Sequence, residues 1–136
     1  MKVTLKVFLI LIVIISFFAC TQNVPARDSV EWVGHYTGIT PAASTPGLNI
    51  TISLGADETF LVKYYHLDTN PEDLITIKTG KFTWNETGDI INLSIISGEL
   101  PSYYKVGQNT LTQLDMNGHE ITGEFADMYV LSKVDE

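Results

Sequence analysis

The chain has 136 residues, of which 45% are hydrophobic, and it carries 16 acidic against 8 basic residues. This length suits one domain, and the acidity argues against nucleic acid and anionic lipid headgroups as partners, because both bind a positive face. Cysteine occurs once, so no intramolecular disulfide can form.

The first predicted element is a secretory signal peptide over residues 1–19. Lys2 and Lys6 form its basic start, and residues 7–18 form an almost unbroken apolar run. At about 1.5 Å per residue, this run covers little more than half of a roughly 30 Å hydrocarbon core, which is too short for a permanent span. Its removal leaves a mature net charge near −10, because every acidic residue follows the signal and two of the eight basic residues leave with it.

Cys20 closes this segment and is the candidate lipidation site. The run Phe17-Phe18-Ala19-Cys20 resembles a bacterial lipobox, in which the cysteine is acylated and becomes the new N-terminus. An ordinary cleaved signal and an uncleaved anchor are the alternatives. Two or more acyl chains, such as palmitate, make membrane attachment stable at about 0.8 kcal/mol per buried methylene. Thr21 is not the aspartate that retains many enterobacterial lipoproteins in the inner membrane, so we expect an outer-membrane lipoprotein that faces the periplasm.

Residues 20–30 are predicted to be a lipidated N-terminus and a flexible tether. Polar residues dominate after the cysteine, and the apolar residues have no regular spacing. Ten residues in the coil regime span roughly 17 Å root-mean-square. The folded domain is then predicted over residues 31–136.

From Trp32 onward, the sequence has the pattern of short apolar segments and turn residues that is typical of an all-β protein. Residues 48–54 alternate between apolar and polar side chains, which is typical of a strand with one buried face. Glycine, proline, asparagine and aspartate separate the apolar segments. The pattern predicts about eight strands, over residues 33–39, 48–54, 59–67, 74–84, 90–96, 103–106, 110–114 and 125–131.

The connections between these strands decide the type of sheet. Parallel strands need crossovers of about a dozen residues or more, and the predicted connections are too short. The strands therefore form an antiparallel meander, in which Asn117-Gly118 is a type I′ hairpin signal. About eight such strands close into a small barrel whose interior is either packed or holds one small ligand. A two-sheet β-sandwich is the alternative.

The C-terminal third of the chain resembles a known family. Its motifs look like the closing half of the N-terminal domain of NlpE-type copper resistance lipoproteins, at residues 104–107, 111–118, 121–123 and 126–131. The opening is similar to the same family at residues 32–38, 41–48 and 55–60. The resemblance, from about Trp32 to Lys133, depends on the order and spacing of the motifs. It implies a small lipocalin-like antiparallel barrel and a role in copper resistance and envelope stress.

One loop departs from the family pattern in its ligands. The family loop typically reads Leu-Pro-Cys-Ala-Asp-Cys-x-Gly-Ile, whereas here Ala42 and Thr45 stand in place of the two cysteines. Pro41 and Gly47 still frame the loop. Thiolate is the soft donor that Cu(I) prefers, and neither a methyl group nor a neutral hydroxyl replaces it. We therefore expect neither copper bound through this loop nor any other cofactor.

Other soft or imidazole donors are few. Met116 and His119 flank the turn at 117–118 and are weak metal candidates, because two ligands without a thiolate bind poorly. A solvated turn histidine and a partly packed methionine are the plainer interpretation. His35 and His66 lie on predicted strands, where a hydrogen-bonded or exposed histidine needs no metal.

The sequence offers no catalytic motif, so we do not expect an enzyme. It contains no nucleophile elbow and no phosphate-binding glycine loop, and its one cysteine is assigned to lipid. The acid pairs Asp57-Glu58 and Glu72-Asp73 lie in predicted turns, where such pairs are usually solvated.

Two functions remain. One is a non-catalytic envelope stress and interaction module that meets an envelope protein partner, and the other is a lipocalin-like carrier of a small apolar ligand.

Overall fold

The structure is a computed structural model and describes residues 22–43, 45–70, 74–95 and 100–135. The predicted signal peptide, Cys20 and the acid pair Glu72-Asp73 lie outside these residues. Within the described ranges, no helix is long and apolar enough to span a bilayer.

Within the described residues, nine antiparallel strands form one sheet that curls into a nearly closed barrel. The strands are β1 (Gly34–Thr40), β2 (Leu48–Leu54), β3 (Thr59–His66), β4 (Thr76–Lys81), β5 (Thr83–Trp84), β6 (Ile90–Asn92), β7 (Tyr103–Gly107), β8 (Thr110–Gln113) and β9 (Val130–Val134). Their order across the sheet is β4-β3-β2-β1-β9-β8-β7-β6-β5. A helical turn, α1 (Ala26–Ser29), precedes the strands, and a 3₁₀ helix (Ala126–Tyr129) precedes β9. The predicted all-β barrel is confirmed, with nine strands in place of about eight.

The barrel interior is the hydrophobic core. Successive side chains of a strand point to opposite faces, and β2 follows this rule strictly. Leu48, Ile50, Ile52 and Leu54 are buried, and the residues between them are partly exposed. β1 and β7 add the large inward side chains of Tyr36 and Tyr104, and Phe82 adds another from between β4 and β5.

The predicted strand at residues 74–84 is divided in two at Phe82. β4 pairs with β3, whereas β5 pairs with β6. The Phe82 N–H donates to the carbonyl of Glu58 at 2.9 Å instead of joining either ladder, and its side chain is buried. Because of this bend, one stretch of chain supplies both edge strands of the sheet and closes the barrel.

Residues 25–30 are fixed to the barrel, although the sequence predicted a flexible tether that extends to residue 30. The Ala26 N–H donates to Oδ1 of Asp89 at 3.0 Å, and the Arg27 N–H donates to the carbonyl of Gly88 at 3.0 Å. The Ala26 side chain is buried. The tether prediction missed these contacts because their partners lie some sixty residues further along the chain.

Three aromatic rings close the barrel beside this segment. The Trp32 ring meets Phe82 and Trp84 edge-to-face at centroid distances of 5.7 and 5.4 Å. We call this side the aromatic end, and it also carries the turns at 55–58 and 85–89. The opposite side, the loop end, carries the loop at 41–47 and the turn at 115–119.

The predicted last strand, residues 125–131, begins as the 3₁₀ helix. The Ala126 N–H donates to the carbonyl of Gly123, and the Met128 N–H donates to that of Phe125. Phe125 and Met128 are both exposed. The apolar residues here therefore do not mark a strand with a buried face, and pairing begins only at Val130.

The predicted turn at Asn117-Gly118 forms, but not as type I′. Type I′ needs positive φ at both central residues. Gly118 has φ +81°, whereas Asn117 is not among the described residues with positive φ. Instead, the Gly118 N–H donates to the Asp115 carbonyl, and Oδ1 of Asp115 accepts from the N–H groups of Asn117 and His119 at 2.8 and 2.9 Å. The chain direction is therefore reversed by a turn that Asp115 caps, followed by Gly118 in the left-handed conformation.

Three buried polar atoms have no hydrogen-bond partner within the described part of the chain. They are Trp84 Nε1, Tyr104 OH and Gln113 Oε1. Leaving such an atom unpaired costs about 1–3 kcal/mol. Tyr36 is equally buried, but its hydroxyl donates to the Trp32 carbonyl at 2.8 Å. Burial raises the pKa of Tyr36 to about 12 and also raises the pKa of Tyr104, so both phenols stay protonated.

Replacing Gly118 by valine should lower the free energy of unfolding by about 1 kcal/mol or more, because a β-branched residue resists positive φ. An added Cβ would meet only the Tyr103 ring, at 3.7 Å, so the loss would come from the backbone. Gly118→Asn is the matched control and should lose less, since asparagine tolerates this conformation. Denaturant unfolding measures both variants. Equal midpoints for the parent and the valine variant would contradict this account of the turn.

Replacing Asp89 by alanine should loosen residues 25–30, because it removes the acceptor for the Ala26 N–H. Trypsin should then cut after Arg27 several-fold faster, while the barrel itself stays resistant. Glu86→Ala removes an exposed acid from the same turn and is the control. If both variants are cut at the parental rate, Asp89 does not hold the segment.

Candidate functional site

The loop at residues 41–47 connects β1 to β2 at the loop end, and packing holds its last residue, Gly47, in place. The Gly47 carbonyl accepts the Leu67 N–H at 3.1 Å. A Cβ at Gly47 would lie 2.9 Å from Cγ2 of Ile39 and 3.1 Å from Cδ1 of Leu67. Only glycine fits there without displacing its neighbours, so contacts with Ile39 and Leu67 hold this end of the loop in place.

The two positions that stand in place of the family cysteines lie differently in this loop. Ala42 is half-buried and packs against the core. The Thr45 hydroxyl donates to the Gly47 carbonyl at 3.2 Å and lies 3.2 Å from Nδ1 of His66. The structure therefore brings a histidine from β3 to the second cysteine position, a contact that the sequence did not indicate.

This arrangement is polar but lacks soft ligands. One imidazole and one hydroxyl cannot replace thiolates for Cu(I). Among the described residues, no group of three or more histidine, cysteine, aspartate or glutamate side chains is placed to hold a metal ion. What the loop offers chemically is a hydroxyl–imidazole hydrogen-bonding pair beside a half-buried methyl group.

The weak metal candidates Met116 and His119 lie on the exposed turn. Met116 is 86% exposed, so its thioether is not held in place for a metal. Nδ1 of His119 lies 3.6 Å from Oδ2 of Asp115, so the imidazole faces a carboxylate of its own turn. This is the solvated turn histidine that the sequence allowed as the plainer interpretation.

His35 forms one wall of an open cleft at the aromatic end. Its Nδ1 lies 2.7 Å from Oγ of Ser53, the residue opposite it on β2. The cleft has a volume of about 530 Å³, and Glu31, Asn109 and Lys133 also line it. The Lys133 ammonium donates to the Glu31 carbonyl at 2.7 Å. Sequence reasoning missed this cleft because its residues come from separate segments and form no local motif.

The acid pair Asp57-Glu58 shapes a turn. Oδ1 of Asp57 accepts from the hydroxyl and the N–H of Thr59, at 2.6 and 3.3 Å. These hydrogen bonds hold the pKa of Asp57 below its usual value. Glu58 has φ +63°, the left-handed conformation of a tight turn between β2 and β3. The pair therefore has a structural role in the hairpin.

Comparison with known families decides the assignment. Residues 36–124, more than half of the chain, match the family model of the NlpE N-terminal domain. The chain belongs to the NlpE family. The resemblance found in the sequence is confirmed, and the match includes the whole 41–47 loop with its altered ligands.

Two solved structures share the fold. A candidate lipoprotein from Shewanella oneidensis is 37% identical, with a TM-score of 0.71 over 80% of this chain and 94% of that one. NlpE of Escherichia coli, the Cpx pathway activator, is 24% identical, with a TM-score of 0.52 over 68% of this chain. The match spans 47% of the Escherichia coli protein, so this chain shares the fold of about half of that protein. No curated protein sequence matches the chain.

The turn at Asp115 gives this NlpE-family domain an acid-sensitive element. The backbone N–H groups of His119 and Asn117 hold the pKa of the Asp115 carboxyl below its usual value. Its contribution to stability is therefore complete above the unfolded pKa near 3.9 and is lost as the pH falls through the lower folded value.

Following the Asp115 carboxyl carbon by NMR should give a titration midpoint below about 3.9. Asp115→Asn should destabilise the protein more at pH 7 than at pH 2, because at pH 2 the parent has already lost the charged acceptor. A midpoint at or above the usual value would contradict the hydrogen bonds described for the turn.

Proposed function

We propose that this NlpE-family chain is a lipid-anchored envelope lipoprotein that acts as a non-catalytic envelope stress and interaction module and has lost copper binding through its 41–47 loop. The loop itself carries the proposal. Packing of Gly47 against Ile39 and Leu67 preserves its course, while the contact between Thr45 and His66 supplies no soft ligand. A preserved loop without thiols suits recognition by a surface better than metal capture.

Two observations support an envelope lipoprotein. The structure from Shewanella oneidensis, which this chain matches over 94% of its length, is described as that of a candidate lipoprotein. The sequence supplies the corresponding signal, since an apolar run ends at Cys20 in a lipobox-like motif. Thr21 after the lipidated cysteine favours the outer membrane, with the domain facing the periplasm.

The docked N-terminal segment orients the barrel in this proposal. Pro25 lies against Gly88 of the barrel and the Ala26 N–H donates to Asp89, so only residues 21–24 separate the docked segment from the lipidated cysteine. Five Cα steps span at most about 17 Å. The aromatic end is then held close to the membrane, and the loop end points away from it.

Among the residues that the structure describes, the outward loop end carries most of the exposed large apolar side chains. Exposed apolar surface on a soluble domain marks interaction sites when it is concentrated in one region. The residues concerned are Ile39, Leu67, Leu74, Ile75, Met116, Phe125 and Met128. Their position supports contact with an envelope protein partner on the side opposite the membrane.

The described polar side chains support a non-catalytic role. The carboxylates of Asp57 and Asp115 accept hydrogen bonds that close turns. His66 contacts the Thr45 hydroxyl, and His119 faces Asp115. These groups are engaged in holding local structure.

Replacing Cys20 by alanine tests the anchor. The variant should leave the membrane fraction and lose incorporation of labelled palmitate, because the acyl chains attach to this sulfur. Thr21→Ala keeps the thiol and should remain membrane-bound. A Cys20→Ala protein that still sediments with membranes after high-salt washing would show that another element anchors the chain.

Restoring both thiols tests the loss of copper binding. The unmodified chain should compete poorly with a strong Cu(I) chelator, whereas Ala42→Cys with Thr45→Cys should bind Cu(I) reversibly. Nδ1 of His66 already lies beside position 45, so His66→Ala in the double-cysteine variant should weaken binding several-fold. Tight Cu(I) binding by the unmodified chain would overturn the proposed loss.

A further inference from the structure

Three side chains in the barrel interior share an unusual property. The polar atoms Trp84 Nε1, Tyr104 OH and Gln113 Oε1 are buried and have no partner across the described ranges. Tyr104 is fully buried and Gln113 is 9% exposed. Native domains of this size leave a few such atoms unpaired, so the position of these three, and not their number, calls for an explanation.

The strand register places these three side chains on one row. Trp84 lies opposite Ile91, Ile91 opposite Tyr104, and Tyr104 opposite Gln113. Directly opposed residues of antiparallel strands share a face, with Cβ atoms about 4.5–5.5 Å apart. Ile91 and Tyr104 are both fully buried, so this face is the interior. The unpartnered atoms therefore line a single wall built by β5 to β8.

Another tyrosine shows that the chain can satisfy such a group by itself. Tyr36, like Tyr104, is closed to solvent, and its hydroxyl donates to the Trp32 carbonyl at 2.8 Å. The unpaired hydroxyl of Tyr104 is thus not a general result of burying tyrosine in this core. It is specific to the β5–β8 wall.

The chemistry of the three atoms defines the missing partner. An indole N–H only donates, an amide oxygen only accepts, and a phenol does both. Burial raises the pKa of Tyr104, so its phenol stays neutral in the interior. A neutral hydroxyl can accept from Trp84 and donate to Gln113, whereas a carboxylate cannot donate and an ammonium cannot accept.

We propose that the β5–β8 wall binds a small apolar molecule through one neutral hydroxyl group, which pairs with Trp84, Tyr104 and Gln113. Apolar side chains of the described core would contact the body of such a ligand, among them Ile91, Val106, Leu111 and Leu131. A barrel of this strand number has an interior that side chains fill or that holds one small ligand. This binding goes beyond the interaction role and depends neither on the lipid nor on the loss of copper.

Matched alcohols and ethers test the recognition of the hydroxyl. The Cys20→Ala chain is unfolded in guanidinium chloride, refolded without small molecules, and melted with linear alkan-1-ols from butanol to decanol. The methyl ethers of the same alcohols are the control, because they cannot donate a hydrogen bond. At least one alcohol should raise the Tm by several degrees, and its ether should not. Tyr104→Phe and Gln113→Leu should each abolish this shift.

The Tm values of variants measured without alcohol or ether show whether water already pairs with the Tyr104 hydroxyl. Tyr104→Phe should raise the Tm, because it removes an unpaired buried hydroxyl. Tyr36→Phe should lower it, because the bond to the Trp32 carbonyl is lost. The proposal is overturned if Tyr104→Phe lowers the Tm without a probe, since solvent then already pairs the hydroxyl. It is also overturned if no alcohol shifts the Tm, or if alcohol and ether shift it equally.

Discussion

Closure of this barrel depends on the burial of one aromatic side chain. Phe82 lies at the bend between β4 and β5, and its ring packs edge-to-face against both Trp32 and Trp84. Burying a side chain of this size contributes about 1.5–3 kcal/mol, which is a large share of the stability of a small domain. The bend lets one stretch of chain serve as both edges of the sheet. Exposed edge strands invite pairing with other chains, so this residue protects the fold as well as stabilising it.

The loop at residues 41–47 shows how fold and chemistry are separable within the NlpE family. Contacts around Gly47 decide where the loop runs, and these contacts are made by backbone and aliphatic groups. These contacts involve neither Ala42 nor Thr45 as a ligand. Under the proposed loss of copper binding, the loop would therefore keep its position at Gly47 without thiols.

Patterns local in sequence were predicted well. The alternation from Leu48 to Leu54 and the spacing of the NlpE-like motifs gave the barrel and the family correctly. What the sequence could not show depends on distant partners. The break at Phe82 comes from its bond to Glu58, and the docked N-terminal segment depends on Asp89, which lies 63 residues after Ala26. The contact of Thr45 with His66, across 21 residues, escaped prediction for the same reason.

The docked N-terminal segment has a mechanical consequence for a chain anchored as proposed. A pull on the anchor would first load the bonds of Ala26 and Arg27 to the turn at 85–89. It would next reach Trp32, whose ring packs on the bend that closes the sheet. A force at the membrane would therefore act first on the contacts around Phe82, between the two edge strands β4 and β5 that close the barrel. If the bilayer moved relative to a partner held at the loop end, these contacts would be strained before the rest of the sheet.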